Sequence, residues 1–137
     1  MFEEFIKTYG KPEISVIPSV KEFVDYEAKL PSTLLDFWRI YGWSSFQGGL
    51  IRFINPSQLQ DIVSTDFLNN KQAIPIISTG FGNVYVWYKG YVYELNVLYG
   101  RLMKLGDDLE LILDYSFCKK NYKQKVLWDD KFAKAVK

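Results

Sequence analysis

Apolar residues recur at helical spacing through the first forty positions. Phe2, Phe5, Ile6 and Tyr9 fall at i, i+3, i+4 and i+7, a one-sided stripe that ends at Gly10, where a left-handed residue can close a helix. The segment "KPEISVIP" then reads as extended chain. Ser19 and Glu22 have capping-box spacing, and Val20, Phe23 and Val24 supply the next stripe, predicting a second helix to about Lys29. Pro31 suits the first turn of a third helix, because its missing N–H costs nothing there. Leu34, Phe37, Trp38 and Tyr41 repeat the stripe until Gly42 stops it. "WSSFQGG" follows as a loop, with Gly48 and Gly49 allowing a sharp reversal into "LIRFI", which alternates like a strand. A short helix from about Pro56 to Val63 and a polar loop, "STDFLNNKQ", come next.

From residue 73 the period changes to two. "AIPIIST", "NVYVWY", "YVYELNVL" and "RLMKL" are short β-rich runs separated by "GFG", "KG" and "YG", the pattern of an antiparallel meander. At "YKGY" two registers are open. A two-residue loop would pair Tyr88 with Tyr91, whereas a three-residue loop bulged at Gly90 would pair Trp87 with Tyr91 and Tyr85 with Tyr93. The bulge is the preferred expectation, because it sorts Tyr85, Trp87, Tyr91 and Tyr93 onto one face and Val84, Val86 and Val92 onto the other. "DDLELILDYSF" predicts a helix opened by Asp107 or Asp108, with Leu109, Ile112 and Leu113 inward, although "LELIL" also fits a strand. Trp128, Phe132, Ala135 and Val136 predict a last helix from about Asp129. The expected class is α+β: a twisted antiparallel sheet (meander), N-terminal helices packed on one face, C-terminal helices closing the domain.

Composition narrows the chemistry. At 137 residues and 48% hydrophobic, the chain suits one domain over residues 1–137. It has no histidine, so mechanisms that use one as base, nucleophile activator or metal ligand are excluded. A carboxylate glycosidase or a magnesium-dependent phosphoryl enzyme is what remains of enzyme chemistry. The single cysteine, Cys118, can neither form an internal disulfide nor build a thiolate zinc cage. No apolar run approaches bilayer length, and the N-terminus is acidic where a secretory signal would be basic, so a soluble cytoplasmic protein is expected. Charge is uneven: residues 119–137 carry a net +5 and residues 1–118 a net −4, against +1 overall.

Each motif that could carry chemistry has an ordinary competitor. "STGFGNV" could cradle phosphate, but a strand follows it where such a loop needs a helix start. Asp107, Asp108 and Glu110 could hold a metal or act as acid and base, yet acidic residues at a helix start usually cap it. The aromatics could form a stacking platform for nucleic acid, but among the strand aromatics the charges are only Lys89 and Glu94, and the lysines cluster in the tail.

Taken in order, "YGKP", "VIPS", "LPSTLLDFWRIYGW", "GGLIRFINP", "PIISTGFGNVYVW" and "NVLYG" resemble the GAD-like domain family through residues 2–100. The Leu-Pro, helix, Tyr-Gly-Trp and glycine-led strand also look like the broader SUKH superfamily of toxin-neutralising proteins. GAD-like proteins are commonly encoded beside antibacterial toxins, including type VI secretion nuclease effectors, and are taken to act as cognate immunity proteins. The resemblance therefore implies a bacterial protein that binds and neutralises a toxin, with no catalytic residue, metal or cofactor. Similar proteins continue past a "LWDDKFAKAVK"-like helix, which implies a C-terminal part truncated relative to the family. The alternatives are a nucleic-acid- or small-ligand-binding regulatory module and, behind it, a carboxylate or magnesium-dependent hydrolase.

Interface anchors are expected at loop tips, where aromatic and polar groups can be exposed without weakening the core. The candidates for contact with a toxin are Trp43, Phe46 and Gln47 in the glycine-led loop, Tyr88 at the hairpin, and Asp107 and Asp108 before the late helix.

Overall fold

A computed structural model of the chain describes residues 2–62, 72–96, 100–119 and 122. The expected helix from Asp129, the lysine-rich segment before it and nearly all of "STDFLNNKQ" lie outside the described residues.

Helix α1, Glu3–Tyr9, ends where the Gly10 N–H bonds back to the Ile6 carbonyl, and it buries Phe5 and Tyr9. Helix α2, Val20–Glu27, opens with the expected capping box: the Glu22 N–H donates to Ser19 Oγ at 3.2 Å and the Ser19 N–H donates to Glu22 Oε1 at 2.9 Å. Of the expected stripe only Phe23 turns inward. Val20 and Val24 are 81% and 61% exposed, and the half-buried Phe23 and Tyr26 pack on Trp38 instead. Two aromatic rings bury more area against an indole than two valines would, and that difference sets the helix rotation. Helix α3, Ser32–Tyr41, follows Pro31 at the cap position, buries Leu34, Leu35, Phe37 and Trp38, and stops at Gly42.

Seven strands form one antiparallel sheet in strict chain order. They are β1 Ile14–Val16, β2 Trp43–Phe46, β3 Ile51–Phe53, β4 Ile74–Thr79, β5 Asn83–Tyr88, β6 Tyr91–Asn96 and β7 Arg101–Gly106. The expected meander is therefore longer than the four strands read after residue 73. "WSSF", expected as loop, is strand β2, paired with β1 on one side and β3 on the other. Between β3 and β4 the chain makes a turn at Pro56–Gln58 and the short helix α4, Gln60–Ile62.

Register divides the sheet into two faces. Phe53, Ile77, Tyr85, Glu94 and Met103 stand in one cross-strand row. Ser45, Arg52, Ser78, Val84, Leu95 and Leu102 stand in the neighbouring row, on the opposite face. Val84, Val86 and Leu95 on the opposite face form a smaller buried cluster with Ala73, and the first face carries the larger core. Phe37 stacks on Phe53 at 4.0 Å, Phe5 meets Phe46 edge-on at 5.1 Å, and Phe2 meets Phe37 edge-on at 5.0 Å. Helices α1, α2 and α3 pack on this face, giving the expected α+β arrangement.

The hairpin register corrects the sequence expectation. Tyr88 pairs with Tyr91, and Lys89 and Gly90 both take positive φ, 50° and 83°. This is the two-residue loop of type I′ geometry, whose twist matches that of the strands it joins. Lysine accepts the left-handed position at a modest cost because glycine fills the next one. Tyr85 and Trp87 consequently share a face with Val92 and Glu94, and Tyr88 with Tyr91 and Tyr93.

The C-terminal turns close the core as expected. Helix α5, Leu109–Leu111, is capped by Asp108, whose Oδ1 accepts the Leu111 N–H at 3.1 Å, and it widens into a π-type turn over Ile112–Ser116. Leu109, Ile112, Leu113 and Phe117 are buried. Asp114 Oδ1 accepts the Phe5 N–H at 3.0 Å, and the Tyr9 hydroxyl donates to the Phe117 carbonyl. The start of the chain is thereby tied to this late segment.

A small polar group sits within the core face. Asn83 Nδ2 donates to Glu94 Oε1 at 3.0 Å, and the Tyr85 and Tyr122 hydroxyls lie 2.5 Å apart. Burial raises both phenols and keeps them neutral. Burial also raises the Glu94 carboxyl above its ordinary 4.5. The native carboxyl thus holds its proton where that of the unfolded chain has lost it. Its contribution to stability is full below the unfolded value and is lost as pH rises through the higher native value. Glu94→Gln keeps an oxygen for Asn83 and removes the charge. It is expected to match the parent near about pH 4 and to exceed it at neutral pH, as read from urea midpoints across that range. A variant less stable than the parent at neutral pH would mean that the Glu94 charge is stabilising.

Candidate partner-binding surface

The sequence-derived candidates are spread across the sheet. Trp43 begins β2, opposite Val16, and is half-buried with its ring edge-on to Trp38 at 5.6 Å. Phe46 is a correction: it is fully buried between Phe5, Phe37 and Phe53 and has no surface to offer a partner. The alternation of β2 turns it inward, a placement hidden while "WSSF" was read as loop. Gln47 is exposed at φ 53°, but its Nε2 donates to the Tyr9 carbonyl at 2.9 Å, so its amide braces α1. Tyr88 is half-buried at the end of β5, with the Lys89 ammonium 5.2 Å from its ring. Asp107 and Asp108 are exposed beyond β7, and Asp108 serves as the cap of α5. Strands β2 and β7 are five positions apart in the sheet, roughly 24 Å at the usual strand spacing, so these residues do not converge on one site.

A different set does converge. An open cleft of about 650 Å³ lies over β1, β2 and β3, and Trp43 is the only one of the six candidates that lines it. Val16 and Trp43 supply its exposed apolar surface, the buried Phe53 and Ile54 also belong to its lining, and Glu13, Ser45, Arg52, Asn55 and Gln58 supply polar groups. The local chain geometry builds it. Glu13 Oε1 accepts the Gly48 N–H at 2.6 Å and so holds the approach to β1 against the turn between β2 and β3. Asn55 Oδ1 accepts from the Ser57 N–H and hydroxyl, fixing the exit from β3. Arg52 projects from the outer face of β3, in register with Ser45. Its guanidinium lies over Gly49, where an added Cβ would come within 2.6 Å of a terminal nitrogen. Among the described residues that guanidinium has no hydrogen-bond or ion-pair partner.

Arg52, Glu13, Asn55 and Gln58 were missed by sequence reasoning. "GGLIRFI" held one available signal: a cation at the outward position of a strand directly after two glycines. An apolar recess with a few convergent polar groups is the usual form of a binding site. The Arg52 guanidinium, unpaired among the described residues, is the group on this lining that suits an anion, and Glu13 brings a negative charge to the same rim.

The profile of the GAD-like domain matches residues 1–100. The chain belongs to the GAD-like domain family. Strands β1–β6 and the cleft fall within the matched residues. No curated protein sequence matches this GAD-like chain. Among solved structures, it is similar to that described as "Crystal structure of Atu4351 from Agrobacterium tumefaciens", with a TM-score of 0.66 and 29% identity over 74% of this chain. The match covers 49% of that protein, so this chain spans about half the length of its structural relative. Among the described residues no helix is long and apolar enough to cross a membrane.

Proposed function

We propose that this GAD-like chain is an immunity protein that binds a cognate secreted antibacterial toxin of the nuclease class and blocks it in the bacterial cytoplasm. The observation that carries the reading is the cleft over β1–β3. It is an apolar recess with an arginine that is unpaired among the described residues, mounted on a sheet whose other face is fixed by interlocking aromatic rings. Exposed apolar surface rimmed by polar groups is unfavourable in the free protein and is offset when a partner covers it. Recognition of this kind needs shape and charge alone, so the proposal assigns no catalytic residue, metal or cofactor. The net −4 of residues 1–118 supports faster encounter with a nuclease, whose own surface must be positive to hold phosphates.

A second reading, a nucleic-acid-binding module, draws on the outer face of the β5–β6 hairpin. Tyr88, Tyr91 and Tyr93 share that face, and the Lys104 ammonium sits 3.6 Å from the Tyr91 ring. Glu94 points to the opposite face, so a cation from β7 joins the tyrosines without the carboxylate that neighbours them in sequence.

Co-expression with the product of the neighbouring gene, which this reading requires to carry a toxin domain, separates the readings. Under the proposal, cells survive the toxin when this chain is present, and the two proteins co-purify. Cell death with no complex overturns the immunity reading. Salt-dependent retention of single-stranded DNA, without any complex, would favour the second.

A further inference from the structure

We propose that the β1–β3 cleft is the anchor pocket for the partner protein, receiving an apolar side chain next to a carboxylate that pairs with Arg52. The inference rests on the binding role proposed above and adds the chemistry of the contact. Three observations lead to it. First, Arg52 has no partner among the described residues: Glu13, the carboxylate on the same lining, turns Oε1 to the Gly48 N–H and makes no ion pair with it. An arginine fork matches a carboxylate with two parallel hydrogen bonds, which an ammonium cannot do. Second, Gly49 leaves the space that the guanidinium occupies, so the cation is set against the turn rather than loose in solvent. Third, the chain that leaves the cleft wall carries further exposed apolar residues. Val16 on the cleft wall is 57% exposed, and Ile17, Val20 and Val24 follow at 53%, 81% and 61%. Ile17 Cδ1 lies 3.0 Å from where a Cβ on Gly42 would stand, which places Ile17 against the residue before Trp43.

The third observation selects the source of the carboxylate. A small acid would fill the recess and leave the strip from Ile17 to Val24 bare. A protein segment would place its anchor in the recess and cover the strip with flanking residues, as interface anchors ringed by weaker contacts do. The occupant is therefore a protein surface carrying an aromatic or aliphatic residue adjacent to Asp or Glu.

The probe is the blocked dipeptide acetyl-Phe-Glu-amide, titrated into the full chain while the indole N–H signal of Trp43, identified with Trp43→Phe, is followed by NMR. Acetyl-Phe-Gln-amide tests the charge, and N-acetylphenylalanine tests a free small acid. The Glu peptide is expected to shift the Trp43 signal at about 10 mM or below, the weak range open to so small a ligand. The Gln peptide, and the Glu peptide with Arg52→Gln, should each bind about tenfold more weakly, the loss of one charge-assisted pair at a partly exposed site. Arg52 lies on the outer face, so an unchanged urea midpoint should accompany that variant. Equal binding of the Glu and Gln peptides, an indifferent Arg52→Gln, or no shift at that concentration overturns the proposal. Tighter binding of N-acetylphenylalanine than of the peptide also overturns it, in favour of a small-acid site. Failure of toxin neutralisation with the peptide arms intact would instead count against the immunity role alone.

Discussion

Replacing Trp38 by alanine is expected to lower stability by about 3–5 kcal/mol, as for other large aromatics removed from a packed core. Trp38 is fully buried and is the ring on which separate elements meet: Tyr26 of α2 edge-on at 5.7 Å, Phe23 of α2 at 6.3 Å and Trp43 of β2 at 5.6 Å. Alanine would leave a cavity that three rings from two other elements cannot fill without moving α2 and the start of β2. Trp38→Phe should cost distinctly less, because the buried indole N–H has no partner among the described residues and its removal forfeits no hydrogen bond. Urea unfolding of both variants checks this. A change of a few tenths of a kcal/mol for Trp38→Ala would contradict the core assignment.

Gly42→Ala is the second large effect, and it acts on the cleft as well as on stability. Gly42 has φ 72° and ψ −165°, a region open essentially to glycine alone, so alanine costs about 1–3 kcal/mol in backbone strain. The steric term is added to this. A Cβ would stand 2.5 Å from the Val16 carbonyl oxygen and 2.8 Å from its carbon, both backbone atoms of β1. The strand cannot rotate away as a side chain could, so either β1 separates from β2 or α3 ends differently. Both responses displace Val16 and Trp43, the paired residues at the cleft mouth. The expected result is a lowered urea midpoint together with a shifted Trp43 indole signal in the folded protein. A variant with the parent's midpoint and an unmoved Trp43 would show that the α3–β2 junction is more pliable than its geometry implies.

How much of this was legible in the sequence depends on the range of the interactions involved. Helices α1 and α3 were readable with their stops because a 3.6-residue stripe and a following glycine are local signals. The capping box of α2 was readable for the same reason, whereas its rotation was not, since Trp38 decides which side of α2 faces inward. Strand β2 was hidden because its pairing with β1 joins residues about thirty apart, and "WSSF" has only one large inward residue to mark its alternation. The "YKGY" register turned on lysine taking a left-handed conformation, a choice that the favourable strand twist made and that face-sorting of side chains did not foresee.

The candidate site was less legible than the fold. Loop tips were singled out one at a time, and sheet order then spread them from β2 to beyond β7. Arg52 was passed over because a lone cation in a strand reads as solvated surface. Its significance comes from Gly49 beneath it, Glu13 already engaged by Gly48 and the recess around Trp43, each a tertiary fact. Family membership was legible from the ordered motifs, since these are the segments that build the aromatic core and the junctions around it.

The central claim, that this chain neutralises a toxin by binding it, is tested most directly by purifying the product of the neighbouring gene, which the claim requires to be a nuclease, and following its nuclease rate as the purified chain is titrated in. The account predicts a linear fall in rate that reaches background near equimolar protein, as expected of a tight inhibitor that covers the active cleft. A nuclease rate that stays at its starting value with the chain in excess would contradict it.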